Sequence, residues 1–281
     1  MQIQGTAGND TLNGSAADDQ LDGLAGDDRL NGAAGFDFLT GGAGNDTLDG
    51  GDDFDWASYV PATGGVEVDL ASGSARGADG QDVIVGIEAI YGSEFDDRLT
   101  GDTGANVLNG RRGNDTLDGG DGTDQLVYWD ATGAVQVDLG AGKATGADGT
   151  DHIIRIENVV GSAFADVLIG DGLGNELVGA AGADTLSGGG GIDQFAFSGN
   201  AAGEVDRLTD LENGETLVFN TGLLALTILA GDDASGLLLA QVMVGAPRNG
   251  VTRLYVGTDT VPGADTVVGL VGSFAARTFS S

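Results

Sequence analysis

The feature that most constrains this chain is a period of nine. From Gly5 it divides without slippage into the windows 5–13, 14–22, 23–31, 32–40, 41–49 and 50–58. The same frame returns as four windows over 92–127 and four more over 161–196. All fourteen begin with Gly, and position four is Gly in nine. Position six is Asp in twelve (Asp10, Asp19, Asp28, Asp37, Asp46, Asp55, Asp97, Asp115, Asp124, Asp166, Asp184, Asp193) and Asn in two, Asn106 and Asn175. Position eight is Leu in twelve, with Ala57 and Phe195 as the exceptions. A longer period of 69 residues relates Asp46-Thr47-Leu48 to Asp115-Thr116-Leu117 and to Asp184-Thr185-Leu186. It also relates Val66-Glu67-Val68-Asp69-Leu70 to Val135-Gln136-Val137-Asp138-Leu139, so that inserts 59–91 and 128–160 read as about two alternating strands each.

Each window resolves into a six-residue turn and a three-residue strand. Gly at positions one and four permits positive φ and close approach of carbonyls. In the strand only the eighth residue points inward, as in Thr47-Leu48-Asp49. Two windows complete one turn of a right-handed coil, and coils stack at the strand spacing of about 4.8 Å. The expected fold is all-β: a parallel β-roll (β-solenoid) of stacked 18-residue coils over 1–196, with a small C-terminal β cap over 197–281. The array reads as continuous, with two inserts, rather than as separate domains.

A core of facing Leu ladders is too thin to offset ordering this much Gly, at about 1–2 kcal/mol per residue. Windows two apart fall on the same edge, so the sixth-position carboxylates form rows. The same-edge pairs are Asp10/Asp28, Asp28/Asp46, Asp19/Asp37, Asp37/Asp55, Asp97/Asp115, Asn106/Asp124, Asp166/Asp184 and Asn175/Asp193. Bare, such rows repel; a hard divalent cation ligated by carboxylates and turn carbonyls removes the repulsion. Carbonyls are expected from Gly8, Gly26, Gly35, Gly42, Gly44, Gly113, Gly120, Gly122, Gly182, Gly189 and Gly191. Calcium fits better than magnesium, which demands tight octahedral geometry, and about eight ions or more are expected. Windows with Ala17, Asp53, Phe95, Phe164 or Leu173 in place of the fourth Gly read as weaker, as do those with Asn at position six.

Composition narrows the function. The formal net charge of −33 argues against nucleic acid and anionic membrane as partners. Without Cys and with one His, disulfide frameworks and soft-metal sites are excluded. The most apolar stretch, Leu223 to Val244, is interrupted by Gly231-Asp232-Asp233 and gives no membrane span. Met1-Gln2-Ile3-Gln4 offers no Sec-type signal. His152 matches Val83 one long period earlier and reads as a strand residue, and no GxSxG elbow occurs. Trp56, Trp129, Tyr59 and Tyr128 follow repeat blocks, where they either seal the roll or stack on a sugar. Arg111-Arg112 reads as a solvated turn.

Gly41-Gly42-Ala43-Gly44-Asn45-Asp46-Thr47-Leu48-Asp49 resembles the GGxGxDxUx nonapeptide of RTX, or haemolysin-type, calcium-binding β-rolls at every defined position. Ile156-Glu157-Asn158-Val159-Val160-Gly161-Ser162-Ala163-Phe164 is similar to linkers between such blocks in secreted bacterial epimerases, proteases and adhesins. After residue 196 the acidity falls away, and Leu217-Val218-Phe219, Leu223 to Ile228, Gln241 to Val244 and Arg253 to Val256 alternate as strands. Asp206 to Leu217, and Leu254-Tyr255-Val256-Gly257-Thr258-Asp259, resemble serralysin-type tails, which carry an uncleaved signal for type I export. The resemblance implies a secreted, extracellular protein that meets a type I exporter, folds on external calcium and has no catalysis of its own. Two alternatives stand beside it. One is the repeat-and-secretion portion of an extracellular epimerase, lipase or protease; the other is a calcium-dependent adhesin or matrix protein binding extracellular polysaccharide.

Overall fold

A computed structural model describes residues 1–197, 206–210, 216–219, 224–227, 240–243, 251–256 and 266–271. The described residues contain strands, turns and bends but no helix, and hence no helix long and apolar enough to cross a membrane. Chain contacts gather into two compact units, Met1–Tyr128 with Gly142–Asn158, and Trp129–Ala141 with Val159–Ser281.

In the first unit one sheet is wholly parallel. Its strands Gln2–Gln4, Gln20–Asp22, Phe38–Thr40, Trp56–Ser58, Ala89–Tyr91, Val107–Asn109 and Gln125–Val127 put the inward residues in register: Ile3, Leu21, Leu39, Ala57, Ile90, Leu108 and Leu126. The other sheet begins the same way, Leu12 pairing with Leu30 and Leu30 with Leu48. Leu21, Leu30, Leu39, Leu48, Leu99, Leu108, Leu117 and Leu126 are all fully buried. Three-residue strands suffice because each needs only one inward side chain, and the backbone groups on both flanks bond to the coils above and below.

The first insert, 59–91, holds four strands where its alternation foretells about two: Ala89–Tyr91, already placed in the parallel sheet, and three more. Strands Val66–Asp69, Ser74–Gly77 and Gly80–Val85 form an antiparallel meander whose outer members are parallel to their neighbours. Ile84 aligns with Leu48, and Val68 with Leu99. The middle strand, Ser-Ala-Arg-Gly, contributes only Ala75 to the interior and so leaves no periodic apolar signal. The second insert repeats the motif within this unit, with Lys143–Gly146 antiparallel to Gly149–Ile154 and Ile153 aligned with Leu117. His152 stands opposite Thr116, as Val83 stands opposite Thr47, and is a strand residue.

In the second unit, Val135–Asp138, Val167–Ile169, Thr185–Ser187 and Asp206–Leu208 form one parallel run. Glu176–Ala180, Gln194–Phe197 and Thr216–Phe219 form another, with Phe195 aligned to Leu177 and Leu217. Residues beyond 197 thus extend both ladders by one rung: Leu208 and Leu217 are fully buried. The polarity then changes. Leu224–Thr227 folds back on Thr216–Phe219, while Ala240–Met243, Val251–Val256 and Thr266–Val271 add to Asp206–Leu208 in antiparallel order. Most of the segment expected to carry the export signal, including Thr278 to Ser281, lies outside the described residues.

Candidate metal centres

The sixth-position side chains stack as the 18-residue coil requires. In every same-edge pair the backbone N–H of one residue donates to the carboxylate one coil on. Asp10 donates to Asp28 Oδ1 at 2.7 Å, Asp28 to Asp46 at 2.8 Å, Asp19 to Asp37 at 2.8 Å and Asp37 to Asp55 at 2.8 Å. Asp97 donates to Asp115 at 2.8 Å, Asn106 to Asp124 at 2.8 Å, Asp166 to Asp184 at 2.9 Å and Asn175 to Asp193 at 2.8 Å. All of these but Asp10 are buried.

Turns in these rows come in two kinds, a distinction invisible in the repeat itself. In the two windows that open each block, the position-two N–H turns inward and caps the window's own sixth residue. Thr6 and Ser15 donate to Oδ2 of Asp10 and Asp19 at 2.6 Å, Ser93 to Asp97 at 2.6 Å and Ser162 to Asp166 at 2.5 Å. Asp102 and Asp171 likewise donate to Oδ1 of Asn106 and Asn175, at 2.7 and 2.9 Å. In the eight remaining windows position two is left-handed: Leu24, Ala33, Gly42, Gly51, Arg111, Gly120, Ala180 and Gly189, with φ from 65° to 107°. Position four is left-handed in the same windows, at Gly26, Gly35, Gly44, Asp53, Gly113, Gly122, Gly182 and Gly191. There the position-two N–H makes no such cap. Oδ2 of Asp28, Asp37, Asp46, Asp55, Asp115, Asp124 and Asp184 is buried and accepts no hydrogen bond.

Two sequence expectations change accordingly. Positive φ belongs to positions two and four, not one and four; the position-one glycines serve close approach alone. A Cβ on Gly23 would strike both Asp28 Oδ2 and the carbonyl of Gly41. The departures at Ala17, Phe95, Phe164 and Leu173 all fall in opening windows, whose fourth residue is not left-handed; only Asp53 (φ 78°) takes that conformation without being Gly. Asn106 and Asn175 are opening residues too, where an N–H already satisfies the side-chain oxygen. Gly8→Ala and Gly44→Ala therefore separate cleanly. A Cβ on Gly8 meets only Thr6 Oγ1 at 3.9 Å, whereas Gly44 has φ 144° and lies against the Gly26 carbonyl. Thermal melts in saturating calcium should show Gly8→Ala within about 0.5 kcal/mol of the parent and Gly44→Ala destabilised by about 2 kcal/mol or more.

The orphaned oxygens fit a hard divalent cation. They are anionic, buried, aligned along an edge and accompanied by turn carbonyls, while nitrogen and sulfur ligands are absent from the rows. Among the described residues no three His, Cys, Asp or Glu side chains converge, so any ion is held by paired carboxylates and backbone oxygens. The electrostatics show the need. Burial, opposed in part by the ladder N–H and reinforced by like-charged neighbours, pushes Asp46, Asp55 and Asp124 up to about 6. It pushes Asp115 and Asp184 up to about 8.

Five carboxylates of these rows lie outside the fourteen windows. Asp46 donates to Asp82 Oδ1 at 3.0 Å, Asp115 to Asp151 at 3.2 Å and Asp184 to Asp206 at 3.0 Å. Asp55 and Asp124 donate to Oε2 of Glu88 and Glu157, at 2.9 and 2.8 Å. A signal for the first two was present: Gly77-Ala78-Asp79-Gly80-Gln81-Asp82-Val83-Ile84-Val85 and Gly146-Ala147-Asp148-Gly149-Thr150-Asp151-His152-Ile153-Ile154 are nonapeptides in frame, hidden inside the inserts. Asp151 Oδ2 accepts the hydroxyl of buried Tyr128 at 2.9 Å, and the buried hydroxyl of half-buried Tyr59 faces Asp82.

Trp56 and Arg111 take other places than a seal and a solvated turn, whereas Tyr128 is buried at the end of its block and Arg112 stays exposed. Trp56 lies on a half-buried strip with Phe38, Phe54 and Tyr91, ring centroids 5.9–6.5 Å apart, because its odd strand position faces away from the Leu ladder. Trp129 is half exposed. Arg111 pairs with Glu94 at 2.7 Å and its guanidinium lies 5.3 Å from the Tyr91 ring centre. Arg112 bridges Glu94 at 2.9 Å and Asp148 at 3.2 Å, tying three coils along one edge.

Stacked parallel coils with paired carboxylates at their turns define a metal-binding β-roll. The chain carries the RTX calcium-binding nonapeptide repeat, whose family model matches in four copies, at residues 2–30, 22–57, 91–126 and 160–195. These windows are RTX repeats, and calcium is the ion of such repeats. No curated protein matches the chain. Among solved structures it is similar to the extracellular lipase LipA from Serratia marcescens, at 17% identity and a TM-score of 0.23, over 98% of this chain and 38% of the lipase.

Proposed function

We propose that this protein is an extracellular RTX β-roll that leaves the cell unfolded through a type I exporter and folds on meeting calcium outside, without catalytic chemistry of its own. The observation that carries the reading is the rows of buried carboxylates with unsatisfied Oδ2 atoms: at neutral pH and above, the native fold places charge where a cation would make it tolerable. Such a chain is unfolded where calcium is scarce and ordered where it is plentiful, a difference that suits passage through a narrow exporter. The absence of Cys is consistent with a fold that needs no oxidation to close. The tail resemblance supports the route. Asp206 and Asp210 are tied to the last coils, Asp210 accepting from Gly188 N at 2.9 Å and Ser187 Oγ at 2.6 Å, so the export segment would follow directly on the roll. Deletion of residues 230–281 is expected to leave calcium binding by the repeats intact while retaining the protein inside a host with a matching type I exporter. Immunoblots of medium and cell fractions check this, and export of the truncated chain at the full-length level would refute it.

A further inference from the structure

The carboxylate rows cross from nonapeptide windows into two turns of a different design. Gly86-Ile87-Glu88-Ala89-Ile90-Tyr91 and Arg155-Ile156-Glu157-Asn158-Val159-Val160 each span one rung in six residues instead of nine. The turn has lost three residues, and its acid is Glu rather than Asp. The extra methylene spans part of the shortfall. Glu88 Oε2 receives the N–H of Asp55 at 2.9 Å and Glu157 Oε2 that of Asp124 at 2.8 Å, the same bond that Asp46 Oδ1 makes with Asp28 N–H.

The backbone around these bonds is also that of a regular pair. In the regular pair, Gly23 is held against its own window's Asp28 Oδ2 and the carbonyl of Gly41, the first residue of the next coil. At the first junction Gly50 is held against Asp55 Oδ2 and the carbonyl of Gly86; at the second, Gly119 against Asp124 Oδ2 and the carbonyl of Arg155. Gly86 and Arg155 open their turns in the left-handed region, at φ 57° and 50°. Asp55 and Asp124 are fully buried, and Oδ2 of each accepts no hydrogen bond. Each junction therefore presents an unsatisfied buried carboxylate oxygen, a second carboxylate on the adjoining rung and a carbonyl beside them, an all-oxygen set suited to a hard cation.

We propose that Asp55 with Glu88, and Asp124 with Glu157, form two divalent-cation sites, selective for calcium over magnesium, that join the nonapeptide blocks to the inserts. The proposal rests on the calcium reading above and extends it to turns outside the nonapeptide pattern. The two sites differ in charge. Around Asp55 the neighbouring charges are the carboxylates of Asp37, Glu88 and Asp53. Around Asp124 the carboxylates of Glu157 and Asp102 are joined by the Arg155 guanidinium, which is anchored to Asp118 at 2.7 Å and faces Asp121 at 3.9 Å. The Asp55–Glu88 site should bind calcium the more tightly.

Calorimetric calcium titrations and native mass spectrometry on the full chain, Glu88→Gln, Glu157→Gln and Asp52→Asn test this. The amide of Gln still accepts the ladder N–H, so each Gln variant removes the charge of the ligand while keeping that bond; Asp52 is an exposed acid in the same turn as Asp55. Each Gln variant is expected to bind about one ion fewer than the full chain, or that ion at least about tenfold more weakly, with Asp52→Asn unchanged. Arg155→Gly is expected to tighten the second site. Wild-type stoichiometry and affinity in Glu88→Gln would overturn the proposal and leave the calcium reading standing; no uptake by the unmodified chain would overturn the calcium reading itself. If Glu88→Gln loses the circular dichroism of the fold in calcium, Glu88→Asp decides: one weakened ion supports the site and unchanged binding overturns it.

Discussion

Calcium chelation at about pH 7.5 is expected to convert the compact β-roll into a largely disordered chain. With a net charge of −33 and its sixth-position acids aligned in rows, the metal-free coil must bury like charges side by side. Each bound ion contributes folding free energy directly, about 2.7 kcal/mol per site at a hundredfold excess over Kd. Some half-dozen or more such sites exceed the 5–15 kcal/mol of net stability typical of a domain. Acid should partly replace the ion. Asp46, Asp55 and Asp124 are raised to about 6 and Asp115 and Asp184 to about 8, above the value near 3.9 of an unfolded Asp. The folded state thus binds more protons than the unfolded one. Stability from these groups is fully present below about pH 4 and is lost as pH rises through about 6 and then about 8. In chelator, lowering the pH from about 8 to about 5 should therefore recover β structure, whereas in calcium the same change should weaken metal binding. Circular dichroism and hydrodynamic radius measure both arms. A native-like spectrum with unchanged radius in EGTA at pH 7.5 would defeat the first, and no recovery on acidification the second.

Asp37→Ala should lower calcium stoichiometry and melting temperature far more than Asp193→Ala. Asp37 occupies the middle of its row: its Oδ1 receives Asp19 N–H and its own N–H binds Asp55 Oδ1, both at 2.8 Å, while Oδ2 is buried without a donor. Truncation leaves the Asp19 N–H unsatisfied in a buried place, a cost of about 1–3 kcal/mol, and takes a carboxylate from two ion sites. Asp193 receives the N–H of Asn175, whose window is of the self-capped kind and carries a neutral amide in place of a carboxylate. We expect Asp37→Ala to lose about two ions and Asp193→Ala about one at most, with the melting temperature falling in the same order. Asn175→Asp should tighten binding locally by adding a charged ligand. Calorimetry and thermal melts on the three variants settle it; equal losses for the two Ala variants would show that ions are not shared between coils n and n+2.

Much of this was legible in the residues alone. Nine-residue spacing with Leu at position eight dictates a coil of two short strands, since only a parallel stack returns every eighth residue to one interior line. Eighteen residues per coil then dictate which acids meet, and the pairs from Asp10/Asp28 to Asn175/Asp193 are those joined by ladder hydrogen bonds. Tertiary structure decided what a single window cannot encode. Whether position two turns its N–H inward, as at Ser15, or becomes left-handed, as at Ala33, follows the window's place in its block, although both are small residues with no inherent demand for φ > 0. Which carboxylate succeeds Asp55 was likewise undetermined locally. The chain departs after Ser58 into a meander and returns through a shortened turn, so Glu88, 33 residues on, takes the position that the period assigns to residue 73. A period specifies neighbours only while the coil is regular; where it is interrupted, the next rung is supplied by whichever segment can bring an oxygen to the waiting N–H, and packing makes that choice.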